Sequence, residues 1–409
     1  MSELGEFYRL RFRNDHAREE LETLRLRQIA AFVSPDKAHP RTLLLTGCEL
    51  NRLHGTGILL HRIFHPDYTL SVAVRRSHWV PGDFREVLVR PRDAQDSFAE
   101  SELGILADAF RPDQIVVVPH FPEDVWAALL LAGKTRAPII TWIMDDPCLI
   151  DQRIPRDLLE RLFQISFLRL AISPELQGAL SQEFRRDFHV LPPVVEPLRT
   201  SYPVADTSGF LSQRRCAMLG NIWSDDILPK FAALLKAADW TVDWFGSPQN
   251  TRLAERGLQG GTIQEAGYLS DETIVETLAR YPFAVVPVAD GDMDATGRAF
   301  AKFSLPSRIP FLTAACRIPV VVVGDVASCA ARFVQATGTG VSSPYEASDF
   351  RVATESLVSS DTAATFRQNC ASLASSLDSR DIDHWIWRGA QAGKPVDARF
   401  TKVGNPFVR

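Results

Sequence analysis

The sequence predicts an α/β protein built as two doubly wound parallel-sheet domains facing a cleft, and three observations carry that prediction. Short, unbroken apolar runs alternate with helical stretches along almost the whole chain after residue 40. A strand buried on both faces shows no polar alternation, so this rhythm indicates parallel sheets covered by helices. The alternation is interrupted once, by the three prolines of Leu191-Pro192-Pro193-Val194-Val195-Glu196-Pro197. Such a run cannot continue inside a sheet and favours an extended connector. Finally, 409 residues are too many for one ordinary core, so two domains are expected.

Residues 3–33 carry an imperfect apolar stripe, Tyr8, Leu10, Phe12, Leu21, Leu24, Leu26 and Ile29, among Arg and Glu. That predicts an amphipathic helix packed on the first domain, with a membrane surface or a partner protein as its alternative contact. The first half then reads as strands at 42–46, 68–74, 86–89, 114–118, 138–143, 167–172 and 187–191. Helices are expected at 58–63, 97–109, 124–131, 155–165 and 174–184. After the proline run, strands are expected at 216–219, 241–245, 263–268 and 283–288, with helices at 225–238 and 271–280. A Pro-bounded loop, Phe303-Ser304-Leu305-Pro306-Ser307-Arg308-Ile309-Pro310-Phe311, leads through a short helix into Val320-Val321-Val322-Val323-Gly324. Two helices over 346–373 and a Trp-bearing one over 382–387 finish the chain.

A net charge of -5 gives no electrostatic case for a nucleic-acid partner. No apolar run of about 18 residues is present, and the Arg- and Glu-rich start has no apolar signal core, so a cytoplasmic protein is expected. The cysteines, Cys48, Cys148, Cys216, Cys316, Cys329 and Cys370, are scattered without a C-x-x-C pair, which points to reduced thiols rather than a zinc site.

Ligands of open parallel sheets bind beyond the carboxyl ends of the strands, which directs attention to residues just after each strand. His54-Gly55-Thr56-Gly57 opens the first helix of the alternation. Its glycines allow close backbone approach and leave N–H groups for an anion, and His54 can donate to a hydroxyl or phosphate. Asp145 and Asp146 end a buried strand. Adjacent acids there can hold sugar hydroxyls, act as a base or bind a divalent metal, or simply cap the next turn. Ser307 and Arg308 combine a hydroxyl, a guanidinium and a helix N-terminus, a set suited to a phosphate oxygen.

The stretch from Ser304 to Val320 resembles the S-L-P-S-K-I-P-E-Y-L-A-A-G-x-P-V segment of GT-B glycosyltransferases, family 4-like (group 1), which lies against the diphosphate of a sugar donor. The resemblance implies two Rossmann-like domains with this division: a helical extension at 1–40, an acceptor domain at 41–195, a nucleotide-sugar domain at 196–375, and a helix and tail at 376–409 crossing back to the first. It implies transfer of a sugar from a nucleotide-sugar donor to a hydroxyl of a carbohydrate or glycoconjugate acceptor, with retention, without a metal and without a cofactor. Asp145, Asp146 and His54 are then the catalytic candidates. Gly55, Gly57, Gly220, Asn221, Lys230, Ser307 and Arg308 would meet the diphosphate, and Gly246, Tyr268 and Leu269 the nucleotide. The chain departs from the pattern at Arg308, where lysine is usual, and at Phe311, where the family often has a ribose-holding Glu. Cys316 replaces a glycine. A sugar-nucleotide epimerase of the same fold and a catalytically silent binding subunit are the rival readings.

Overall fold

The computed structural model describes residues 39–52, 55–75, 83–89, 97–196, 206–220, 222, 226–246, 261–290, 294–401 and 403, together with Thr23. His54, Asn221 and the expected N-terminal helix of 3–33 lie outside the described residues, Thr23 excepted.

The alternation folds into two sheets. The first contains β1 (Thr42–Leu45), β2 (Thr69–Ala73), β3 (Arg85–Leu88), β4 (Gln114–Val117), β5 (Ile139–Ile143), β6 (Ser166–Ala171) and β7 (His189–Val190), in the order β3-β2-β1-β4-β5-β6-β7. The second contains β8 (Arg215–Leu219), β9 (Thr241–Phe245), β10 (Ile263–Gly267), β11 (Ala284–Pro287), β12 (Val320–Val323) and β13 (Gly340–Ser343), in the order β10-β9-β8-β11-β12-β13. Neighbouring strands pair in parallel in both sheets. The inner strands are mostly apolar and buried, most completely in the Val320–Val323 run. Polar residues collect on the outer strands, with Gln264 and Glu265 exposed on β10, where unpaired edges tolerate charge.

Each order reverses once, between β1 and β4 and between β8 and β11. At such a reversal neighbouring loops part to opposite faces and leave a crevice at the strands' carboxyl ends. The two crevices face one another across the cleft.

The lobes are tied beside it. Ser173 Oγ accepts the N–H of Leu176, capping helix Pro174–Phe184, and donates to the carbonyl of Phe303 at 2.6 Å. Helix Ile382–Ala392 packs on β6 and β5 of the first sheet, with Trp385 and Ile386 buried. Its Gly389 lies so near that an added Cβ would stand 3.1 Å from Leu168 Cδ2. The proline connector joins this return, since Val195 N–H donates to Leu377 O and Val195 O accepts from Ser379 N–H.

Elements absent from the sequence reading include helix Ala295–Phe303, helix Cys329–Ala336 and strand β13, besides the short turns Pro66–Tyr68 and Ser208–Ser212. The first contains Thr296 and Gly297, weak helix formers, and depends on Asp294, whose carboxylate accepts the Gly297 N–H at 2.8 Å. Strand β13 has one branched apolar residue, Val341, among Gly and Ser, so its pattern is faint. The last helix is also longer than expected, running to Ala392. No helix among the described residues is long and apolar enough to cross a membrane.

Candidate functional site

Helix Gly55–Ile63 supplies the first wall of the cleft. Gly55, Ile58, Leu59 and Arg62 fall at helical i, i+3, i+4 and i+7 positions, and all line it. The loop before this helix folds back on its first turn, and a Cβ on Gly57 would lie 2.3 Å from Asn51 O. Gly55 stands close to the other lobe, since a Cβ there would be 3.3 Å from Ser307 Oγ. The N-terminal turn of an α-helix carries a positive partial charge, which falls at this edge of the cleft.

The opposite wall follows β8 and β12. Gly220, at φ +83°, lets the chain turn sharply after β8. It is fixed from both sides: its N–H donates to Phe245 O at 2.9 Å, and its carbonyl accepts Trp244 Nε1–H at 2.6 Å. Arg308 lies against it, because a Cβ on Gly220 would be 3.7 Å from both Cδ and Nη1 of that arginine. The Arg308 guanidinium reaches Leu219 O at 3.5 Å, and its enclosure by protein pulls its pKa down to about 10. It stays charged at neutral pH, a desolvated cation whose field water screens poorly. After Arg308 the chain makes a π-helical turn, Phe311–Ala315, with Cys316 N–H donating to Phe311 O at 3.0 Å. Such turns are rare and concentrate at functional sites.

The enclosed space is about 450 Å³ and mostly apolar, with polar groups at a few points, the usual form of a small-molecule site. Of the candidates from sequence, Gly55, Asp145, Gly220, Gly246, Tyr268, Leu269, Ser307 and Arg308 come together on its lining. Tyr268 is 58% exposed at the rim.

Other candidates lie elsewhere. Asp146 is buried, and its two oxygens accept the N–H groups of Cys148, Leu149, Ile150 and Asp151. That carboxylate holds the turn after β5 and is not part of the cleft lining, so the catalytic expectation for Asp146 gives way to a structural role. Lys230 pairs with Asp290 at 2.7 Å and is not part of the lining, which removes it from direct contact with a ligand in this conformation. Gly57 serves the packing of the loop rather than the lining. Asp145 is different: it reaches the cleft, where it accepts the Ser304 hydroxyl at 3.1 Å.

Sequence reasoning missed two cations on the first wall. Arg52 pairs with Asp83 at 2.6 Å. Arg62 donates to Val194 O at 3.3 Å, and its guanidinium lies 5.1 Å from the centre of the Phe311 ring. Burial lowers the Arg62 pKa, opposed by the charges of Asp271 and Glu196. The signal for Arg62 was its i+7 spacing from Gly55 on an otherwise apolar stripe. Phe311, in the position where the resemblance leads one to expect a carboxylate, thus meets a guanidinium face, a cation–π contact.

No protein-family model and no curated protein matches the sequence. Solved structures do match in shape. Anabaena Alr3699/HepE, solved with UDP and glucose, superposes with a TM-score of 0.62 over 87% of this chain and 100% of its own, at 15% identity. Sucrose-phosphate synthase from Thermosynechococcus elongatus gives a TM-score of 0.56 over 86% of this chain and 98% of its own, at 11% identity.

 The lipopolysaccharide outer core galactosyltransferase WaaB gives 0.57 over 86% of this chain and 99% of its own, at 11% identity. These likenesses establish the GT-B fold, two facing parallel-sheet domains, for this chain.

Proposed function

We propose that this protein is a glycosyltransferase that moves a sugar from a nucleoside-diphosphate donor to a hydroxyl of a carbohydrate or glycoconjugate acceptor. The observation that carries the reading is Arg308, a desolvated guanidinium held against Gly220 and facing the helix start at Gly55. A guanidinium enclosed in this way attracts an anionic oxygen strongly, and a pyrophosphate supplies several. HepE was solved with UDP, which makes UDP the first donor base to test.

In the proposed reaction the bond between the anomeric carbon and the diphosphate breaks while the acceptor oxygen bonds to that carbon. Charge then develops on the departing diphosphate, and Arg308, Ser307 and the N–H groups at Gly55 answer it from fixed positions. No metal is assigned to this step. Asp145 faces the acceptor side, where its carboxylate can orient a hydroxyl or receive its proton. The exposed Tyr268 ring at the rim would stack on the base. The apolar lining excludes water, whose attack would only hydrolyse the donor. Retention of anomeric configuration belongs to this proposal through the resemblance to family 4-like enzymes.

The test is product analysis with a panel of nucleotide sugars and oligosaccharide acceptors. Acceptor-dependent release of nucleoside diphosphate supports transfer, and the anomeric configuration of the product decides retention. Conversion of the donor sugar without acceptor would favour an epimerase. Phe311 in place of the ribose-holding Glu favours a silent binding subunit, and the absence of binding to every nucleoside diphosphate would support that reading.

A further inference from the structure

We propose that His39, Asp383 and His384 form a binding site for a late first-row divalent cation, Zn²⁺ in the first instance, outside the cleft. His39 precedes β1, whereas Asp383 and His384 lie in the first turn of helix Ile382–Ala392. One ligand atom from each lies within 4.8 Å of the others. His39 Nδ1 and Asp383 Oδ2 are 2.6 Å apart, although the residues are separated by 344 positions in the chain.

The carboxylate is already aimed. Its Oδ1 accepts the His384 N–H at 2.7 Å, which leaves Oδ2 directed at His39. Orientation of a ligand by a neighbouring hydrogen bond is a regular feature of metal sites. Two rings from the adjoining turn wall the cluster: His65 stacks on His39 at 5.9 Å and 17°, and Tyr68 lies 5.2 Å from it. Two imidazoles and one carboxylate suit Zn²⁺, Co²⁺ or Ni²⁺ better than the oxygen-seeking Mg²⁺ or Ca²⁺.

Around a tetrahedral Zn²⁺, ligand atoms sit about 3.3 Å apart. The His39–Asp383 contact therefore opens by about 0.7 Å to admit the ion, and His384, whose ligand atom lies within 4.8 Å, closes by up to about 1.5 Å. A helix N-terminus opposes a cation, and the Asp383 charge offsets that. An ion here would staple the returning helix to the start of the first sheet.

The test uses full-length protein freed of metal by a chelator, then titrated with Zn²⁺ by calorimetry and with Co²⁺ by absorption. The account expects saturable binding of one Zn²⁺ per chain, a rise in Tm, and visible Co²⁺ bands. His39→Ala and His384→Gln should each weaken Zn²⁺ binding by more than about 10-fold and remove the bands. His189→Ala, on β7, should change neither. His384→Gln carries the result should His39→Ala fail to fold. Wild-type protein without saturable Zn²⁺ uptake, or a folded His384→Gln protein with unchanged affinity, would overturn the proposal.

Discussion

Ser304 donates its hydroxyl to Asp145 across the cleft at 3.1 Å, joining the end of helix Ala295–Phe303 in one lobe to the end of β5 in the other. The same strand end thus presents two adjacent acids with opposite duties, because Asp146 is spent on four backbone N–H groups.

Asp145→Asn and Asp146→Ala should therefore fail in different ways. The first keeps the fold and lowers turnover by about 10²-fold or more, as expected for loss of an acid–base or orienting carboxylate. The second strands four part-buried N–H donors and costs about 3 kcal/mol of stability. Urea unfolding together with initial rates separates the two, and equal stability of the variants would contradict the assignment.

Arg308→Ala should lower turnover by about 10²- to 10³-fold without lowering Tm, because the lost guanidinium is desolvated and already disfavoured where it sits. Steady-state kinetics and a thermal melt measure both arms. Unchanged kinetics would remove Arg308 from the reaction.

Gly57→Ala places a methyl 2.3 Å from Asn51 O, a backbone atom that cannot rotate away. The loop must shift, at a cost of about 1–3 kcal/mol. Gly178→Ala, in a helix with nothing within 4 Å of the added Cβ, should leave Tm unchanged or raise it. Melting the two variants side by side checks the contrast.

Asp124 gives a pH dependence with a definite sign. Burial raises its pKa to about 6 from 3.8, against the opposing N–H groups of Phe121, His120 and Gly47. The folded state then holds a proton that the unfolded state releases, so this group favours folding below about pH 4 and that contribution is lost as pH rises through about 6. Asp124→Asn removes the titration. Its stability relative to wild type should improve from about pH 4 to about pH 8, by roughly 1–3 kcal/mol. Urea midpoints at both pH values measure it, and a pH-independent difference would contradict the cause given.

The α/β rhythm was legible because buried strands such as Val320–Val323 carry an apolar run that surface segments cannot. The place of Arg308 on the cleft was legible from its position beside Ser307 at a helix start and from the resemblance of Ser304–Val320 to the GT-B segment. Strand β13 and helix Ala295–Phe303 were not, since tertiary contacts rather than local preference hold them. Lys230 and Asp146 were misjudged because their partners, Asp290 and a run of backbone donors, emerge only in three dimensions. The His39–Asp383 pair escapes any spacing rule, its members standing 344 positions apart.

The most direct test of the diphosphate seat is calorimetric titration of wild-type and Arg308→Ala protein with UDP, GDP, dTDP and ADP. The account predicts saturable binding of at least one of them to wild type and a loss of about 10-fold or more in affinity in the variant. Equal affinity in both proteins, or no binding of any nucleoside diphosphate to wild type, would contradict it.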